Sequence, residues 1–486
     1  MIISPPLDLE RPVATGAPQL MLPALQHRDV KRLLGEHQAL LRELVHGLGS
    51  PLHLVLPQVF DEAVRSFERV LAEARVEGRI LFAKKANKAR CFVQRCAALG
   101  IGVDAASLPE LQGALGAGVA GERIGVSGPG KTSELIELAL RQGCCIAIDG
   151  PAELGLVEAL AARVQTRARV LLRCRPDLSG QARSRFGMGP DERADALAIC
   201  ARGSSHLDLE GFAFHLAGYS APQRAEMASS MIDRCLEARG LGLRADTIDI
   251  GGGFSVQYVA PADWQRFLSD QTPGHYHAAR AFSEFYPYGS VNAGPGMLAE
   301  ILATPVPGAR CLSEKLARSS TRLMLEPGRA LLDQAGLTSF RIQGVKERRG
   351  VDAPYLLLTA EGTSFSLSEQ WFNSEYLPDP ILLGSAREGR AASARAVQAC
   401  VGGASCLDSD MLTWRKIVFP RAVQPGDVLV YVNTAGYQMD SNESTFHDLP
   451  LPRKVVVGLE SGLVRWRLDD VGEPHALPPS PPRIDP

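Results

Sequence analysis

The chain has 486 residues, of which 45% are hydrophobic and 22% are charged, and its formal net charge is −2. This composition is typical of a globular protein with a large buried core, and the near-neutral charge argues against nucleic acid or an anionic membrane as a partner. The length exceeds that of one ordinary domain and predicts two domains, one of which can be a large α/β barrel.

The N-terminal sequence and the cysteines indicate the cellular compartment in which the chain is expected. The N-terminal sequence MIISPPLDLERP lacks the basic start and apolar core of a signal peptide, and no apolar run approaches the roughly 20 residues of a membrane-spanning helix. The ten cysteines are scattered without a C-x-x-C pair, and the histidines have no metal-ligand spacing. We therefore expect a cytoplasmic chain with reduced cysteines and no bound metal.

The first two thirds of the chain alternate between short apolar runs and helical periodicity. An amphipathic stretch at 30–48 comes first and predicts a helix. The apolar runs that follow are 53–56, 79–85, 102–106, 123–127, 145–149, 168–173, 211–215, 247–250 and 321–325. This rhythm predicts parallel strands joined by crossover helices, and hence an α/β fold with a closed (β/α)8 barrel.

From about residue 330 extended runs dominate instead. They are 337–345, 355–358, 397–401, 428–432, 453–457 and 464–468, with turn signals between them. The pattern predicts a mainly antiparallel β domain, a barrel or sandwich. We expect the domains to divide as an N-terminal segment that packs with the β domain, the barrel, the β domain and a Pro-rich tail, at 1–50, 51–330, 331–470 and 471–486. The segment 254–320 is long for one connection, and we expect an active-site lid within it.

Two lysines, Lys84 and Lys85, stand at the end of a predicted barrel strand. In such barrels the carboxyl ends of the strands form the active face. A lysine there can lose its proton through desolvation and attack an aldehyde. The alternative is that the two lysines are simply part of a basic loop.

Other strand ends carry groups that suit a flat, phosphorylated ligand. His215 could stack on a ring, or it could be a core histidine. The three glycines Gly251, Gly252 and Gly253 could surround a phosphate with backbone N–H groups, or they could make an ordinary turn. In Glu326-Pro327-Gly328-Arg329 the two charged residues could pair with each other, or they could meet a pyridine nitrogen and a phosphate respectively.

Taken in order, these motifs resemble the family of ornithine, arginine and diaminopimelate decarboxylases, which have an alanine-racemase-like barrel and use pyridoxal 5'-phosphate (PLP). The resemblance implies that Lys85 is the Schiff-base lysine, that His215 stacks on the cofactor ring and that Glu326 meets its nitrogen. It also implies that Arg329 and the glycines Gly251, Gly252 and Gly253 bind the phosphate.

Further segments extend the resemblance over roughly residues 50–460. Asp104 begins DAASLPE, which resembles the family's D-x-A-S-x-x-E-L, and we expect Asp104 at the cofactor. Ser184-Arg185-Phe186-Gly187 is similar to S-K-F-G. In the β domain, Tyr437 matches a tyrosine that touches the phosphate.

The segment from Gly402 to Asp410 resembles the family's G-P-x-C-[DE]-x-x-D. In the family this cysteine reaches across a dimer interface to protonate the product, which implies that Cys406 does so here. Asp410 and Phe446 match residues expected near the substrate. The resemblance therefore implies a homodimer with shared active sites that removes the α-carboxylate of a small amino-acid substrate.

Leu407 departs from the family pattern, because members that act on diamines carry an acid directly after the cysteine. An apolar residue cannot satisfy a distal ammonium. We therefore expect that simple ornithine or lysine is not the substrate, unless Asp408 or Glu361 compensates. Gly218 and Tyr219 stand where many members have a phosphate-binding serine. An intermediate of siderophore or other secondary metabolism is one interpretation of the substrate.

Three other functions stay open at this point. The segment GVSGPGKT, from Gly125 to Thr132, fits G-x-x-x-x-G-K-[ST] after a strand and before a helix, as in P-loop NTPases. A PLP-dependent racemase or epimerase can use the same barrel, although it needs a second base opposite the lysine. A non-catalytic regulatory protein with the same fold is the third alternative.

Overall fold

The computed structural model describes residues 20–176, 184–203, 205–350, 354–372, 376–384, 396–460 and 463–470. The helices in this part of the chain are α1 (Arg28–Glu36), α2 (Gln38–Leu48), α3 (Pro57–Glu73), α4 (Arg90–Leu99), α5 (Leu108–Gly116), α6 (Ser133–Arg141), α7 (Pro151–Arg163), α8 (Pro190–Ala201), α9 (Ala221–Gly240), α10 (Pro261–Asp270), α11 (Pro295–Ala303), α12 (Leu312–Arg318) and α13 (Glu369–Phe372). None of them is long and apolar enough to cross a membrane.

The strands form a closed barrel and a separate nine-stranded sheet. The strands are β1 (Leu52–Val55), β2 (Gly78–Ala83), β3 (Gly102–Ala105), β4 (Ile124–Val126), β5 (Cys145–Ile148), β6 (Ala168–Arg173), β7 (Leu207–Ala213), β8 (Thr247–Asp249), β9 (Arg322–Leu325), β10 (Gly336–Arg348), β11 (Tyr355–Ala360), β12 (Ile381–Leu382), β13 (Val397–Gly402), β14 (Met411–Phe419), β15 (Val428–Val432), β16 (Arg453–Glu460) and β17 (Leu463–Leu468).

The barrel consists of the eight strands β2 to β9, each parallel to the next, and it closes where β9 pairs with β2. The residues Leu81, Cys145, Leu171, Ala213 and Met324 come from five of these strands and form a buried cluster of their own. Such a layer of side chains fills the interior of a (β/α)8 barrel. The predicted α/β barrel is therefore confirmed, and its parallel strands bring their carboxyl ends to one face.

The second sheet is mainly antiparallel, as predicted, with the order β14-β13-β11-β10-β1-β16-β17 and with β15 beside β10. Two of its pairs are parallel, β11 with β13 and β1 with β16. Strand β14 was not predicted. The buried guanidinium of Arg415, which donates to Asp379 at 2.6 Å, interrupts the apolar pattern of that strand.

The first predicted barrel strand was assigned to the wrong sheet. Residues 52–55 form β1, which pairs with β10 and β16 of the second sheet. All four side chains are buried, so the run is equally compatible with either sheet, and Pro57 starts α3 almost at once. The boundary expected at residue 51 is therefore too early, because the chain enters the barrel only after β1.

The ends of the chain and the long connection also differ in detail from expectation. The predicted N-terminal helix is two helices, α1 and α2, which meet at His37. The segment 254–320 contains α10, α11 and α12, and between α10 and α11 it reaches the second sheet, where Tyr276 bridges to Arg415. The predicted lid stays a prediction, and the Pro-rich tail 471–486 lies outside the described residues.

Candidate active site

The predicted cofactor residues meet at the carboxyl end of the barrel. Lys85 follows β2, Asp104 lies in β3, and His215 follows β7. The glycine loop follows β8, and Glu326 and Arg329 follow β9. A cavity of about 290 Å³ is lined by Lys85, His215, Tyr219, Gly252, Gly253, Phe254, Tyr286, Glu326, Gly328, Arg329, Gln370 and Tyr437. Residues that are far apart in the sequence thus share one pocket between the two domains.

Lys85 extends into this cavity and is held by a buried acid. Its Nζ donates a hydrogen bond to Oδ2 of Asp104 at 2.8 Å. Burial alone would lower the pKa of Lys85, but the nearby Asp104, Tyr437 and Glu326 together raise it above its usual value. The sequence analysis expected the opposite direction, because the buried Asp104 was not recognised as the partner of Lys85. The lysine must therefore give up its proton before it can act as a nucleophile, and its hydrogen bond to Asp104 fixes where the amine lies.

Glu326 belongs to a group of three carboxyls at the base of the cavity. Burial and the neighbouring Asp104 and Asp249 raise the pKa of Glu326 well above its usual range. Burial also raises the pKa of Asp249 to about 6, and Oδ1 of Asp249 accepts a hydrogen bond from Gly251 N at 2.8 Å. This excess of acids without enough cations suits a protonated ring nitrogen, which would relieve their mutual repulsion. The alternative surface ion pair between Glu326 and Arg329 is not found among the described residues.

The ring of His215 faces the cavity and lies against the glycine loop. A Cβ atom placed on Gly251 would be 2.8 Å from Nδ1 of His215, so only glycine allows this approach. Desolvation in the barrel mouth and the nearby Lys85 lower the pKa of His215 to about 4. The imidazole is therefore neutral near pH 7 and offers a flat, uncharged face to a ring above it.

The glycine loop is shaped to approach an anion closely. Gly251 and Gly253 have φ angles of 66° and 76°, in the left-handed region that favours glycine. Arg224 of α9 lies behind the loop, fully buried, and donates to the carbonyl oxygens of Ile250 at 2.9 Å and Gly253 at 3.3 Å. By binding the carbonyl oxygens, Arg224 fixes the loop and leaves its N–H groups for a ligand.

The sequence analysis missed Arg224. Burial lowers the pKa of its guanidinium to about 10, and its Nε has no hydrogen-bond partner in the described part of the chain. A buried arginine without a carboxylate partner is unusual, since buried charges are normally paired. The sequence offered no sign of it, because Arg224 follows Ser220 by four residues in the first turns of an unremarkable helix.

Arg329 connects the barrel to the second domain at the cavity wall. It donates to the carbonyl oxygen of Gly436 at 2.6 Å and to Oε1 of Gln370 at 3.2 Å. Its guanidinium also lies 4.3 Å from the ring centre of Tyr286 and 4.9 Å from that of Tyr437. Tyr437 reaches the cavity as predicted, and its backbone N donates to Ala86 O at 2.8 Å, one residue from Lys85.

A pair of tyrosines forms another part of the cavity wall that the sequence analysis did not identify as functional. The hydroxyl of Tyr219 donates to that of Tyr286 at 2.5 Å. Tyr219 follows β7, whereas Tyr286 comes from the long connection 254–320. The pair places two hydroxyl groups beside Arg329, in the region where the family's serine is displaced.

Cys406, Leu407 and Asp408 are exposed on the loop between β13 and β14 and do not line this cavity. Phe446, on a neighbouring segment, is also exposed. These residues are therefore not brought to the site of their own chain.

Two predicted substrate residues have structural partners instead. Asp410 is buried, and its carboxylate accepts from Ser364 N at 2.8 Å and Ser405 N at 3.0 Å. It shapes the loop of Cys406, and its predicted contact with the substrate stays a prediction. Glu361 accepts from Arg341 Nε at 2.7 Å and lies outside the cavity lining. Its ion pair explains why it is not available to compensate for Leu407.

The P-loop alternative is excluded by the position of its lysine. The side chain of Lys131 is turned inward, where Nζ donates to Ala147 O at 2.6 Å and to both carboxylate oxygens of Glu153 at 3.1 Å. A P-loop lysine must instead reach the phosphates of a nucleotide.

Comparison with known proteins agrees with this geometry. Residues 59–272 match the sequence model of the family described as pyridoxal-dependent decarboxylase, pyridoxal binding domain. The uncharacterized protein y4yA of Sinorhizobium fredii is 38% identical over 93% of this chain and 97% of its own length. Diaminopimelate decarboxylase of Zymomonas mobilis is 26% identical over 88% of this chain and 92% of its own length.

A solved structure shows the same fold. Diaminopimelate decarboxylase of Helicobacter pylori, in complex with L-lysine, aligns with a TM-score of 0.67 at 19% identity, and the alignment covers 88% of this chain and 95% of that one. The two-domain arrangement seen here is thus shared along nearly the whole length of both chains.

Proposed function

The chain belongs to the family of PLP-dependent amino-acid decarboxylases, which are carboxy-lyases, and on this premise we propose that it removes the α-carboxylate of an amino acid whose side chain ends in a neutral group. The observation that carries the proposal about the side chain is Leu407, which stands where an acid would be needed to hold a distal ammonium. The described residues of the cavity fit the cofactor.

The residues around the cavity suit the parts of PLP one by one. Lys85 is the amine for the aldehyde, the glycine loop and Arg329 suit the phosphate, and Glu326 suits the ring nitrogen. When bound, the cofactor supplies an electron-withdrawing ring that can take up the electron pair of the breaking bond between Cα and the carboxylate.

The protein's own part is to orient groups and to hold protons. Asp104 Oδ2 accepts a hydrogen bond from Lys85 Nζ at 2.8 Å and so fixes the position of the amine. Burial, Asp104 and Asp249 raise the pKa of Glu326, and a cation beside it would favour its charged form. His215 stays neutral, so it provides a flat surface and needs no charged partner. These roles agree with the geometry but are proposals.

We further propose a homodimer in which Cys406 completes the site of the partner. Cys406 is exposed on the second domain, and the side chains of Leu407 and Phe446 beside it are 44% and 39% exposed. Large apolar side chains exposed next to a functional residue indicate a surface that is covered in an assembly. Cys406 would then be the proton donor to Cα after carbon dioxide leaves.

The substrate's distal group follows from what remains near Cys406. Glu361 is paired with Arg341 and Asp410 is buried, so of the acids considered only Asp408 is exposed beside Leu407. If Leu407 lines the site, an uncharged distal group gains from apolar contact, whereas an ammonium loses its hydration without a partner.

A substrate panel tests the proposal directly. Carbon dioxide release and product mass are measured for apolar, neutral polar, diamino and dicarboxylic amino acids. We expect kcat/KM for ornithine and lysine to be about 30-fold below that for the best amino acid with a neutral side chain. This ratio corresponds to a cost of about 2 kcal/mol for burying a distal ammonium without a partner. Loss of one carboxyl mass separates decarboxylation from racemisation, which leaves the mass unchanged.

Two variants sharpen the test. Leu407→Glu should raise kcat/KM for ornithine relative to the best neutral substrate, whereas Asp408→Asn should change neither value. A wild-type preference for ornithine or lysine that Asp408→Asn abolishes would show that Asp408 holds the distal ammonium, and it would contradict the proposed substrate class.

A further inference from the structure

Cys406 is in contact with a histidine that the sequence analysis did not consider. Its Sγ lies 3.3 Å from Nε2 of His447, and its backbone N donates to the same nitrogen at 3.4 Å. The two residues are 41 positions apart in the chain and come from different loops of the second domain. Both are exposed, so the pair is presented on the surface next to Leu407.

The surrounding residues hold the two partners in place. Asp410 fixes the loop of Cys406 from within, through its hydrogen bond from Ser405 N. On the other side, the ring of Phe446 packs against the imidazole of His447 with 4.3 Å between ring centres. His447 has a φ of 62°, in the left-handed region that a residue with a Cβ rarely adopts.

The hydrogen bonds indicate where the protons lie. Because the backbone N–H of Cys406 donates to Nε2 of His447, this nitrogen carries a lone pair and the ring proton is on Nδ1. The thiol is therefore the member of the pair that holds a proton to give. A thiol in contact with an imidazole can exchange its proton with it, as in thiol nucleophiles activated by histidine.

We propose that His447 is the positioning residue of Cys406: it orients the thiol and restores its proton after each turnover. This inference rests on the proposed function, in which Cys406 protonates Cα. In that step the S–H bond breaks and the proton joins the electron pair left on Cα, which leaves a thiolate. Water then gives a proton to Nε2 of His447, and the hydroxide that remains combines with the released carbon dioxide as bicarbonate. The proton passes from Nε2 to the sulfur, which regenerates both groups.

The first test needs no turnover. The holoenzyme is treated with iodoacetamide and the rate of modification of Cys406 is followed by peptide mass spectrometry. A small reagent reaches Cys406 by the route that the substrate takes, whereas Cys311 is partly buried and the other eight cysteines are buried, so the signal is selective. We expect His447→Ala to slow the modification about fivefold, the effect of losing one hydrogen bond. His46→Ala, which removes an exposed histidine of α2, is the control and should have no effect.

The second test uses turnover of the best substrate. His447→Ala should lower kcat about tenfold or more with little change in KM, because a proton transfer is affected and not binding. Added imidazole should restore part of the lost kcat. His447→Gln, which can accept a hydrogen bond but cannot carry a proton, should keep the thiol in place and still have the low kcat.

The outcomes separate this inference from the proposed function. If the wild type releases no carbon dioxide from any amino acid, the proposed function fails even where the modification rate responds to His447→Ala. If the wild type is active but His447→Ala and His447→Gln, both shown to be folded by circular dichroism, keep its kcat and its modification rate, the role of His447 is wrong. Failure of imidazole to restore any activity to His447→Ala would also contradict the proton step.

Discussion

The two ends of the barrel contain cavities of different size and opposite electrostatic character. The cavity at the amino ends of the strands is the larger, at about 780 Å³, and the one at the carboxyl ends measures about 290 Å³. In the larger cavity the buried Glu210 is paired: it accepts from Arg169 at 2.7 Å and from Arg244 at 3.2 Å. In the smaller one Glu326 has no ion-pair partner among the described residues, and its pKa is raised.

This contrast shows that cavity volume does not identify the functional end. Paired charges at one end stabilise the fold, whereas incompletely paired charges at the other end are available for a ligand. The same residue type, a buried or half-buried glutamate, therefore has different roles at the two ends: Glu210 stabilises the fold, and Glu326 is available for a ligand.

The largest expected effect is on stability, at the amino end. Glu210→Gln leaves the guanidinium groups of Arg169 and Arg244 without their shared buried carboxylate. The free energy of unfolding should fall by about 3–5 kcal/mol, the usual result of breaking a buried ion pair. Urea titration measures the change, and kcat per folded molecule should stay at the wild-type value. A loss of kcat without loss of stability would contradict the structural role.

The matching change at the carboxyl end should have the reverse result. Glu326→Gln removes the carboxylate that we assign to the ring nitrogen, and kcat should fall about 10²-fold, as when one preorganised electrostatic contact is removed. Because burial and the neighbouring acids raise the pKa of Glu326, its charge does not stabilise the fold, and urea titration of the cofactor-free protein should show no loss. Equal kcat in the variant and the wild type would contradict the assignment of Glu326 to the ring nitrogen.

A smaller effect is expected at the tyrosine pair. Tyr286→Phe keeps the ring beside Arg329 but removes the hydroxyl that accepts from Tyr219 at 2.5 Å. We expect about fivefold weaker binding of PLP, the effect of one lost hydrogen bond, because Tyr286 packs on Arg329, which we propose binds the phosphate. The measurement is an absorbance titration of the cofactor-free protein, with Tyr355→Phe, which changes a tyrosine of a separate buried cluster, as the control. An unchanged affinity for PLP would show that the hydrogen bond between Tyr219 and Tyr286 does not contribute to cofactor binding.

The smallest effect is the pH dependence of stability, which has opposite signs at the two ends. Asp249 has a pKa raised by burial to about 6, so its contribution to the stability of the cofactor-free protein is lost as pH rises from about 4 to about 6. Burial alone would raise the pKa of Glu210, but its hydrogen bond and charge interaction with Arg169 lower it on balance, so its contribution is lost as pH falls below about 4.

Unfolding curves measured across this pH range therefore separate the two ends. Asp249→Asn should reduce the decline on the rising-pH side, and Glu210→Gln should reduce the decline on the falling-pH side. Identical pH profiles for both variants and the wild type would contradict the assigned directions.

Much of the carboxyl end could be predicted from the sequence, because its chemistry depends on local motifs at strand ends. Lys85, His215, the three glycines and Glu326 each follow a barrel strand, and parallel strands bring such positions together. The alternation of apolar runs with helices likewise predicted the barrel.

The parts that were not predicted depend on contacts between distant residues. The four buried residues of β1 fit either sheet, and the partner of Arg415 that allows β14 to be buried lies 36 positions away. Arg224 lies within a helix whose pattern gave no sign of the loop it holds. The direction of the Lys85 pKa shift depends on Asp104, a residue whose distance from Lys85 no sequence pattern reveals.

The most direct test of the account is the position of the covalent link to the cofactor. The holoenzyme is reduced with sodium borohydride, digested and examined by mass spectrometry. We predict a pyridoxyl group on Lys85 and none on its neighbour Lys84, whose Cε lies 3.5 Å from the Cβ position of Gly113 in α5, outside the cavity lining. Lys84→Ala should keep the modification and Lys85→Ala should lose it. A pyridoxyl group on Lys84, or on neither lysine, would contradict the central claim.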